Sequence, residues 1–414
     1  MLPPTPEGSA DARASPAARP ADPRATRTLA ALCVTVTISY GVLYYAFTVL
    51  APAITADTGW STPAITTAFS VGNLLGAIAG VAVGRVIQAR GPRVVMTTGS
   101  VLGAAAIGII AIAPTMAVFV VGWLLAGAAN AGTFYPPAFA ALTQWFGAHR
   151  VRAITTLTLV AGFASTIFAP LTALLSEELG WRGAYLVLGS AMVVINAPAH
   201  FFALRLPWRP HEQGTRHRPD KHVLTSRPFV LVTASGTLAA LTMYSSIVHL
   251  VALLLDQGFS VQLAAWVLGL SGAGQVAGRL LYPWLDRRFA PHARATLIIS
   301  LLAATLIALS VTPGPSTVVI AIAVLSGAAR GLFTLIAATV VGDYWGTERY
   351  AALNGIYNAP VGIATAVAPA FGAAIAATTG SYRALFAVLG VLAFISATLA
   401  ARAGTPPTHS QAHR

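Results

Sequence analysis

Charge is scarce in this chain. Only 9% of its 414 residues are Asp, Glu, Lys or Arg, against about a quarter in an average soluble domain. A water-facing globule is excluded on that ground. Acids are scarcest: twelve in all, and each lies in a tail, a loop or the end of an apolar run. An organic-cation pump would need a carboxylate at mid-membrane, so that class is disfavoured. Cys33 is the sole cysteine, which rules out an intramolecular disulfide and a cysteine metal cluster. There is no HExxH, no embedded acid pair and no clustered His/Cys set, so neither an enzyme nor a bound cofactor or metal is expected. Lys221 stands alone against 24 arginines, a bias read as the base composition of a GC-rich bacterial genome.

Apolar residues fill the space that charge leaves: 56% of the chain, with mean hydropathy +0.73. About 20 apolar residues of helix cross a bilayer. Twelve such runs are present, at 29–54, 62–84, 94–113, 116–142, 152–176, 184–206, 228–255, 262–285, 295–312, 316–342, 351–378 and 382–402. The expected fold is an all-α membrane protein of twelve transmembrane helices. Residues 1–28, rich in Pro, Ala and Arg, read as a disordered tail. The run from Leu29 to Ile54 is too long for a signal-peptide core and reads as a retained first span. Pro136, Pro137, Pro170, Pro198, Pro360 and Pro369 fall inside spans, where membrane helices tolerate kinks.

Arginine placement orients the chain. With the N-terminus in the cytoplasm, 21 of the 25 basic residues fall in inner segments, and Arg182 and Arg383 alone fall outside. Both termini are therefore expected in the cytoplasm, with the chain in a bacterial cytoplasmic membrane. The formal charge of +13 belongs to these loops and does not indicate nucleic-acid binding.

The chain is duplicated. Gly127-Ala128-Ala129-Asn130 matches Gly327-Ala328-Ala329-Arg330. Next, Gln144-Trp145-Phe146-Gly147 matches Asp343-Tyr344-Trp345-Gly346. Arg150 then answers Arg349, Pro170 answers Pro369, and Gly180-Trp181-Arg182 answers Gly380-Ser381-Tyr382-Arg383. The expected organisation is a six-helix bundle at 29–206, a cytoplasmic linker at 207–227, a second six-helix bundle at 228–402 and a tail at 403–414. Halves of six spans share an orientation, so the pseudo-two-fold axis runs along the membrane normal, with substrate midway between the halves.

Arg330 sits at mid-membrane, 14 residues beyond Ser316 and 13 before Asp343. An arginine there costs at least about 2.5–3.5 kcal/mol on insertion scales and turns to protein or cavity water. Two readings stand: an anion-binding cation, or an arginine satisfied by carbonyls at a kink. Arg279 is the second cation within a span, with Gln275 one turn away on the same face. It either binds anion or snorkels toward the cytoplasm. Asn130 is the counterpart of Arg330. His249 is either proton-responsive or a packing hydrogen-bonder. Tyr44, Tyr135, Tyr244, Tyr357 and Asn358 are polar groups within spans, each a candidate for the cavity wall or for helix packing.

The chain resembles the major facilitator superfamily over nearly its whole length. The loop after the second span carries part of the resemblance: Gly84, Arg85, Gln88, Arg90, Gly91 and Arg93 follow the family pattern, with Gln88 where it has aspartate. The second copy, Asp286-Arg287-Arg288, keeps the acid. The resemblance implies that these loops gate the cytoplasmic side by charge pairing. Gly59-Trp60-Ser61, Trp145-Phe146, Arg150, Pro170 and Gly180-Trp181-Arg182 with Gln275 and Arg279 resemble the oxalate/formate antiporter and monocarboxylate transporter group. That likeness implies an arginine at 279 on the substrate carboxylate. Gln275 occupies the place of the group's proton-coupling aspartate.

The expected function is alternating-access transport of a small organic anion such as a monocarboxylate. Its partners are the bilayer, the substrate, and protons or a counter-anion, and the protein is expected as a monomer. The alternative is an exporter of uncharged or drug-like compounds. A tag fused after Arg414 is expected to be accessible from the cytoplasmic side alone. Labelling of that tag in intact cells by an impermeant reagent overturns the orientation.

Overall fold

The computed structural model describes residues 23–208, 221–346 and 350–405. It is helical throughout: α1 (Pro23–Tyr40), a π-turn (Gly41–Tyr45), α2 (Ala46–Thr58), α3 (Thr62–Arg90), α4 (Pro92–Ile112), α5 (Met116–Thr133), α6 (Tyr135–Phe146), a 3-10 turn (Gly147–His149), α7 (Arg150–Ala161), α8 (Ala164–Ala191), a second π-turn (Met192–Asn196), α9 (Ala197–Ala203), α10 (Lys221–Leu224), α11 (Arg227–Asp256), α12 (Val261–Arg288), α13 (Pro291–Val311), α14 (Ser316–Trp345), α15 (Tyr350–Thr379) and α16 (Tyr382–Arg402).

Ten helical stretches among the described residues are long and apolar enough to cross a membrane. One of them, Arg150–Ala203, runs 54 residues and is two crossings. Gly180, at φ 68° and ψ 170°, breaks it with a conformation that suits glycine. α12 supplies the twelfth crossing, its apolar character diluted by Arg279, Asp286, Arg287 and Arg288. The surface is apolar, with Ile78, Val81, Val194, Leu280 and Phe394 among its most exposed side chains.

The first helix starts at Pro23, so residues 23–28 extend the first span rather than belonging to the tail. The rest of the expected N-terminal tail, linker residues 209–220, and 406–414 lie outside the described residues. We call the face of Pro23 and Arg402 the near side. Four helices start at the far side with a Ser or Thr cap. Ser61, Thr115, Ser260 and Ser381 accept from the backbone N–H of Ala64, Val118, Leu263 and Ala384. Each oxygen satisfies one of the orphan donors of a first turn.

Breaks inside spans are local and have sequence causes. Phe134 is extended (φ −84°, ψ −165°) and hands α5 to α6, where prolines occupy the first turn. Gly162 and Phe163 separate α7 from α8. The π-turn at Gly41–Tyr45 shifts the register of the first span and sets Tyr44 and Tyr45. π-turns of this kind often mark functional positions.

Membrane helices lack a hydrophobic force between them and rely on close packing through small residues. Here the glycines form matched contacts. A β-carbon on Gly127 would lie 1.8 Å from the Gly72 carbonyl oxygen, and one on Gly327 would lie 1.8 Å from that of Ser271. So α5 docks on α3 as α14 docks on α12, the same pairing 200 residues apart. The first six spans meet the last six chiefly through α3 with α15 and α8 with α12. At the far side Asp57 joins the first span to the sixth. It accepts from Trp181 Nε1 (2.9 Å) and Arg182 Nη1 (2.5 Å).

Gly327→Ala is expected to lower the melting temperature of the purified protein by the equivalent of about 1–3 kcal/mol, the usual cost of overpacking. Gly80 is the control: a β-carbon added there would meet nothing within 4 Å. Gly80→Ala is expected to leave the melting temperature unchanged. Equal melting curves for both variants would refute the tight helix contact.

Candidate functional site

Arg330 lies halfway along α14 and is buried, 4% exposed. Its Nη2 donates to the Ser271 hydroxyl of α12 at 2.8 Å, while Nε has no partner. Asn130, its counterpart on α5, is also buried, and its Nδ2 donates to Asn73 Oδ1 of α3 at 3.2 Å. The two bonds are equivalent by the repeat, since each joins the fourth span of its half to the second. Asn73 and Ser271 were not singled out from sequence, and the 200-residue offset would not have found them, since it pairs Asn73 with Ala273 and Ser271 with Val71.

Arg279 does not snorkel. It is 8% exposed and reaches across the halves, where Nη1 donates to the Thr158 carbonyl of α7 at 2.5 Å. Its Nε has no partner. Gly162 makes room for the guanidinium, because a β-carbon there would sit 3.1 Å from Arg279 Nη1. Thr158 enters through a backbone atom, which leaves no signature in sequence.

Tyrosines lie between the two arginines. Tyr135 is within interaction range of Arg279, and Tyr44 and Tyr45 are within range of Arg330. Tyr244 is within range of both. The rings touch one another: Tyr44 stands 6.3 Å from Tyr244 and 5.5 Å from Tyr45, both edge-on. Tyr135 stacks with Phe139 at 5.1 Å and meets Tyr40 at 4.8 Å. The Tyr44 hydroxyl is buried without a partner. Two cations and a set of phenols from both halves thus converge on one region. Phenolic and guanidinium N–H and O–H donors suit a carboxylate, which the planar fork of arginine binds in bidentate fashion.

The other expected site residues fall elsewhere. Gln275 is half-buried on α12, and its backbone oxygen is where Gly331 makes its closest approach. His249 is buried on α11, donates from Nε2 to the Pro369 carbonyl at 2.9 Å, and lies 6.0 Å from the Tyr382 ring. Tyr357 packs its hydroxyl end against Gly236 inside the second half. Asn358 is exposed and bonds back to Asn354.

Hydrogen bonds join the halves at both depths. Ala370 N donates to Ser70 Oγ (3.0 Å) and Thr166 Oγ1 to the Gly269 carbonyl (2.8 Å), both on the far side. The Arg279–Thr158 bond lies nearer the near side.

At the near side the expected gating loops differ between halves. Arg294 of α13 is buried between Asp286 and Asp343, pairing with both (2.5 Å to Asp343), and lies over the Tyr282 ring. Arg287 is exposed. In the first half Gln88 and Gln144 stand where those acids would be. Gly84 and Arg85 lie at the surface of α3, and hydrogen bonds to backbone take the place of charge pairing. Trp208 Nε1 donates to the Gln88 carbonyl (3.0 Å), Trp145 Nε1 to that of Pro207 (3.1 Å), and Arg93 Nε to that of Phe201 (2.8 Å). Arg93 also lies 4.3 Å over the Phe201 ring.

Twelve crossings, duplicated and closed on a polar centre, match a known family model. The model of the Major Facilitator Superfamily covers residues 32–324 and 293–413. The chain belongs to the Major Facilitator Superfamily. This superfamily comprises membrane transporters, not enzymes. Among curated proteins the chain is similar to monocarboxylate transporter 13 of Rattus norvegicus and of Bos taurus. Both are 28% identical over 305 residues, which is 72% of this chain and 70% and 71% of those proteins. Monocarboxylate transporter 12 of Xenopus laevis is 24% identical, covering 62% of each chain. Among solved structures it is similar to a bacterial homolog of the human lysosomal transporter Spinster in an inward-facing, occupied conformation (TM-score 0.74, 16% identity, 92% of this chain and 97% of that one). It is likewise similar to a D323A mutant of the nucleoside transporter NupG (TM-score 0.76, 12% identity, 91% and 99%). At those identities the structures speak for the fold alone.

Arg294→Met leaves two carboxylates without their shared cation. Losing hydrogen bonds to a charged group costs about 1.5–3 kcal/mol each, and the solvent exposure of Asp286 discounts its share. A fall in melting temperature worth about 2 kcal/mol is expected, with partial recovery in the Arg294→Met, Asp343→Asn double variant. A single variant as stable as the parent would show that the triad contributes nothing.

Proposed function

We propose that this superfamily transporter carries small organic anions, monocarboxylates foremost. One observation carries the reading: two buried guanidinium groups, Arg330 and Arg279, flank a tyrosine cluster contributed by both halves, and no acid among the described residues lies at that depth. Each arginine keeps a donor without a partner. The missing counter-charge is supplied by substrate. Asn130, the counterpart of Arg330 in the first half, is proposed to face the same substrate. His249, or the substrate itself, carries any transported proton. The similarity to proteins named monocarboxylate transporters supports the same class.

The transport cycle follows from the contacts between halves. With the far side tied at Ser70–Ala370 and Thr166–Gly269, the site is reached from the near side. An entering carboxylate takes the guanidinium of Arg279 from the Thr158 carbonyl. Exchanging a neutral acceptor for a charged one roughly doubles the strength of the bond. That exchange frees α7 from α12 and lets the halves rock about the site. We place the protein in a bacterial cytoplasmic membrane as a monomer of two six-helix units, with both termini inside.

The test is uptake of radiolabelled monocarboxylates into proteoliposomes. Arg330→Gln and Arg279→Gln are expected to abolish saturable uptake while leaving insertion intact. Removing one partner of a desolvated charge pair costs about 3–5 kcal/mol, or roughly 150- to 5000-fold in affinity. Arg330→Lys keeps the charge without the planar fork and should retain weak uptake. If both glutamine variants transport the native substrate at wild-type rates, the anion reading is wrong and export of uncharged compounds replaces it.

A further inference from the structure

Each half has an arginine in the first turn of its third span, Arg93 on α4 and Arg294 on α13. Their surroundings differ. Arg294 is buried and paired with two carboxylates. Arg93 has none. Its Nε donates to the Phe201 carbonyl of α9, and among the described residues both Nη groups are left without an acceptor. The acids of the first half that the structure describes, Asp57, Glu177 and Glu178, belong to the far side.

A second cation stands beside Arg93. The guanidinium of Arg205 lies 5.6 Å from the Phe201 ring and 5.0 Å from that of Phe202. It is exposed and makes no hydrogen bond or ion pair among the described residues. The two rings meet edge-on at 5.1 Å. They are 44% and 62% exposed, and Val194 and Ile195, two turns earlier, are exposed on the same face. So two guanidinium groups share one aromatic platform, and an apolar stripe runs from it toward mid-membrane.

We propose that Arg93, Arg205, Phe201 and Phe202 form a site for the headgroup of an anionic phospholipid, where α4 and α9 pack together at the near-side membrane surface. The free guanidinium N–H groups match phosphate oxygens in number and geometry. Aromatic rings settle at headgroup depth, and here they hold both arginines there. An acyl chain lies along Val194 and Ile195. A zwitterionic lipid is a poorer fit, because no carboxylate is present to receive its ammonium and two uncompensated cations repel it. A free phosphate would leave the rings and the stripe uncovered. The site rests on this near-side cluster, and not on which substrate the protein carries.

The experiment uses the purified full-length chain in phosphatidylcholine nanodiscs, with phosphatidylglycerol introduced at rising fractions. A ligand of the native state raises the melting temperature by mass action, so a saturable rise is expected with phosphatidylglycerol. Glycerophosphoglycerol, the same headgroup without acyl chains, is expected to give no rise. Arg205→Gln breaks no hydrogen bond within the protein and should weaken the lipid about fivefold, the worth of one basic residue at an anionic surface. Adding Arg93→Gln should weaken it roughly thirtyfold. If that double variant does not fold, Arg205→Gln decides alone. Arg152 and Arg288 are exposed elsewhere on the near side. Arg152→Gln with Arg288→Gln removes the same charge and should leave the lipid response unchanged. The proposal is overturned by a flat phosphatidylglycerol titration, by an equal rise with the free headgroup, or by an unaltered response in Arg205→Gln. An equal loss in the Arg152, Arg288 control also overturns it, since the effect is then one of net charge. None of these measurements involves a transported carboxylate, so failure here leaves the anion-transport reading standing.

Discussion

Hydrocarbon cannot solvate an N–H, a carbonyl or a guanidinium, and this constraint organises the protein. Every polar side chain at depth must find its partner on another helix or its own. The observed pairs follow: Arg330 on Ser271, Asn130 on Asn73, Arg279 on the Thr158 carbonyl, His249 on that of Pro369. Asn196, turned inward by its π-turn, donates to the Thr35 carbonyl and to Ser39. Such bonds are modest in membranes, about 0.6 kcal/mol on average. Their weight is in specificity: each fixes which helix lies against which, at what depth. Among the groups left without partners, Nε of both arginines and the Tyr44 hydroxyl collect around one region. That is where we propose that a substrate replaces the missing solvent.

The duplication supplies the scaffold and divergence supplies the chemistry. Glycine contacts bring α5 onto α3 and α14 onto α12 in the same way, so positions 130 and 330 inherit the same place in each half. One holds an amide and the other a cation. The near side diverges in the same direction. The second half carries Asp286, Arg294 and Asp343, while the first carries Gln88 and Gln144 and ties its loop to the Phe201–Trp208 segment through indole and guanidinium donors. Ion pairs between charged side chains are screened by salt more than hydrogen bonds to backbone carbonyls are. The two halves are therefore held differently at the near side although they share a fold.

What could be read from sequence was whatever depends on periodicity and composition. Twenty-residue apolar runs, arginine placement and the 200-residue repeat specify twelve crossings, the pairing of halves and the depth of Arg330, because hydrophobic length and charge depth are properties of single helices. Prolines 136 and 137 and Gly180 mark real breaks for the same reason. What only the tertiary structure decided was the direction of side chains about each helix axis. Arg279 had two outcomes open, snorkelling or binding, and the gap left by Gly162 together with a free acceptor at Thr158 settled it toward the interior. Tyr44, Tyr135 and Tyr244 had equal standing with Tyr357 in the sequence. The π-turn at Gly41–Tyr45 and the packing of the halves brought the first three to the arginines, while Gly236 took Tyr357 into the second half. A backbone carbonyl, a glycine-sized gap and a one-residue change of register carry no residue type of their own, so they exist only once the helices are packed.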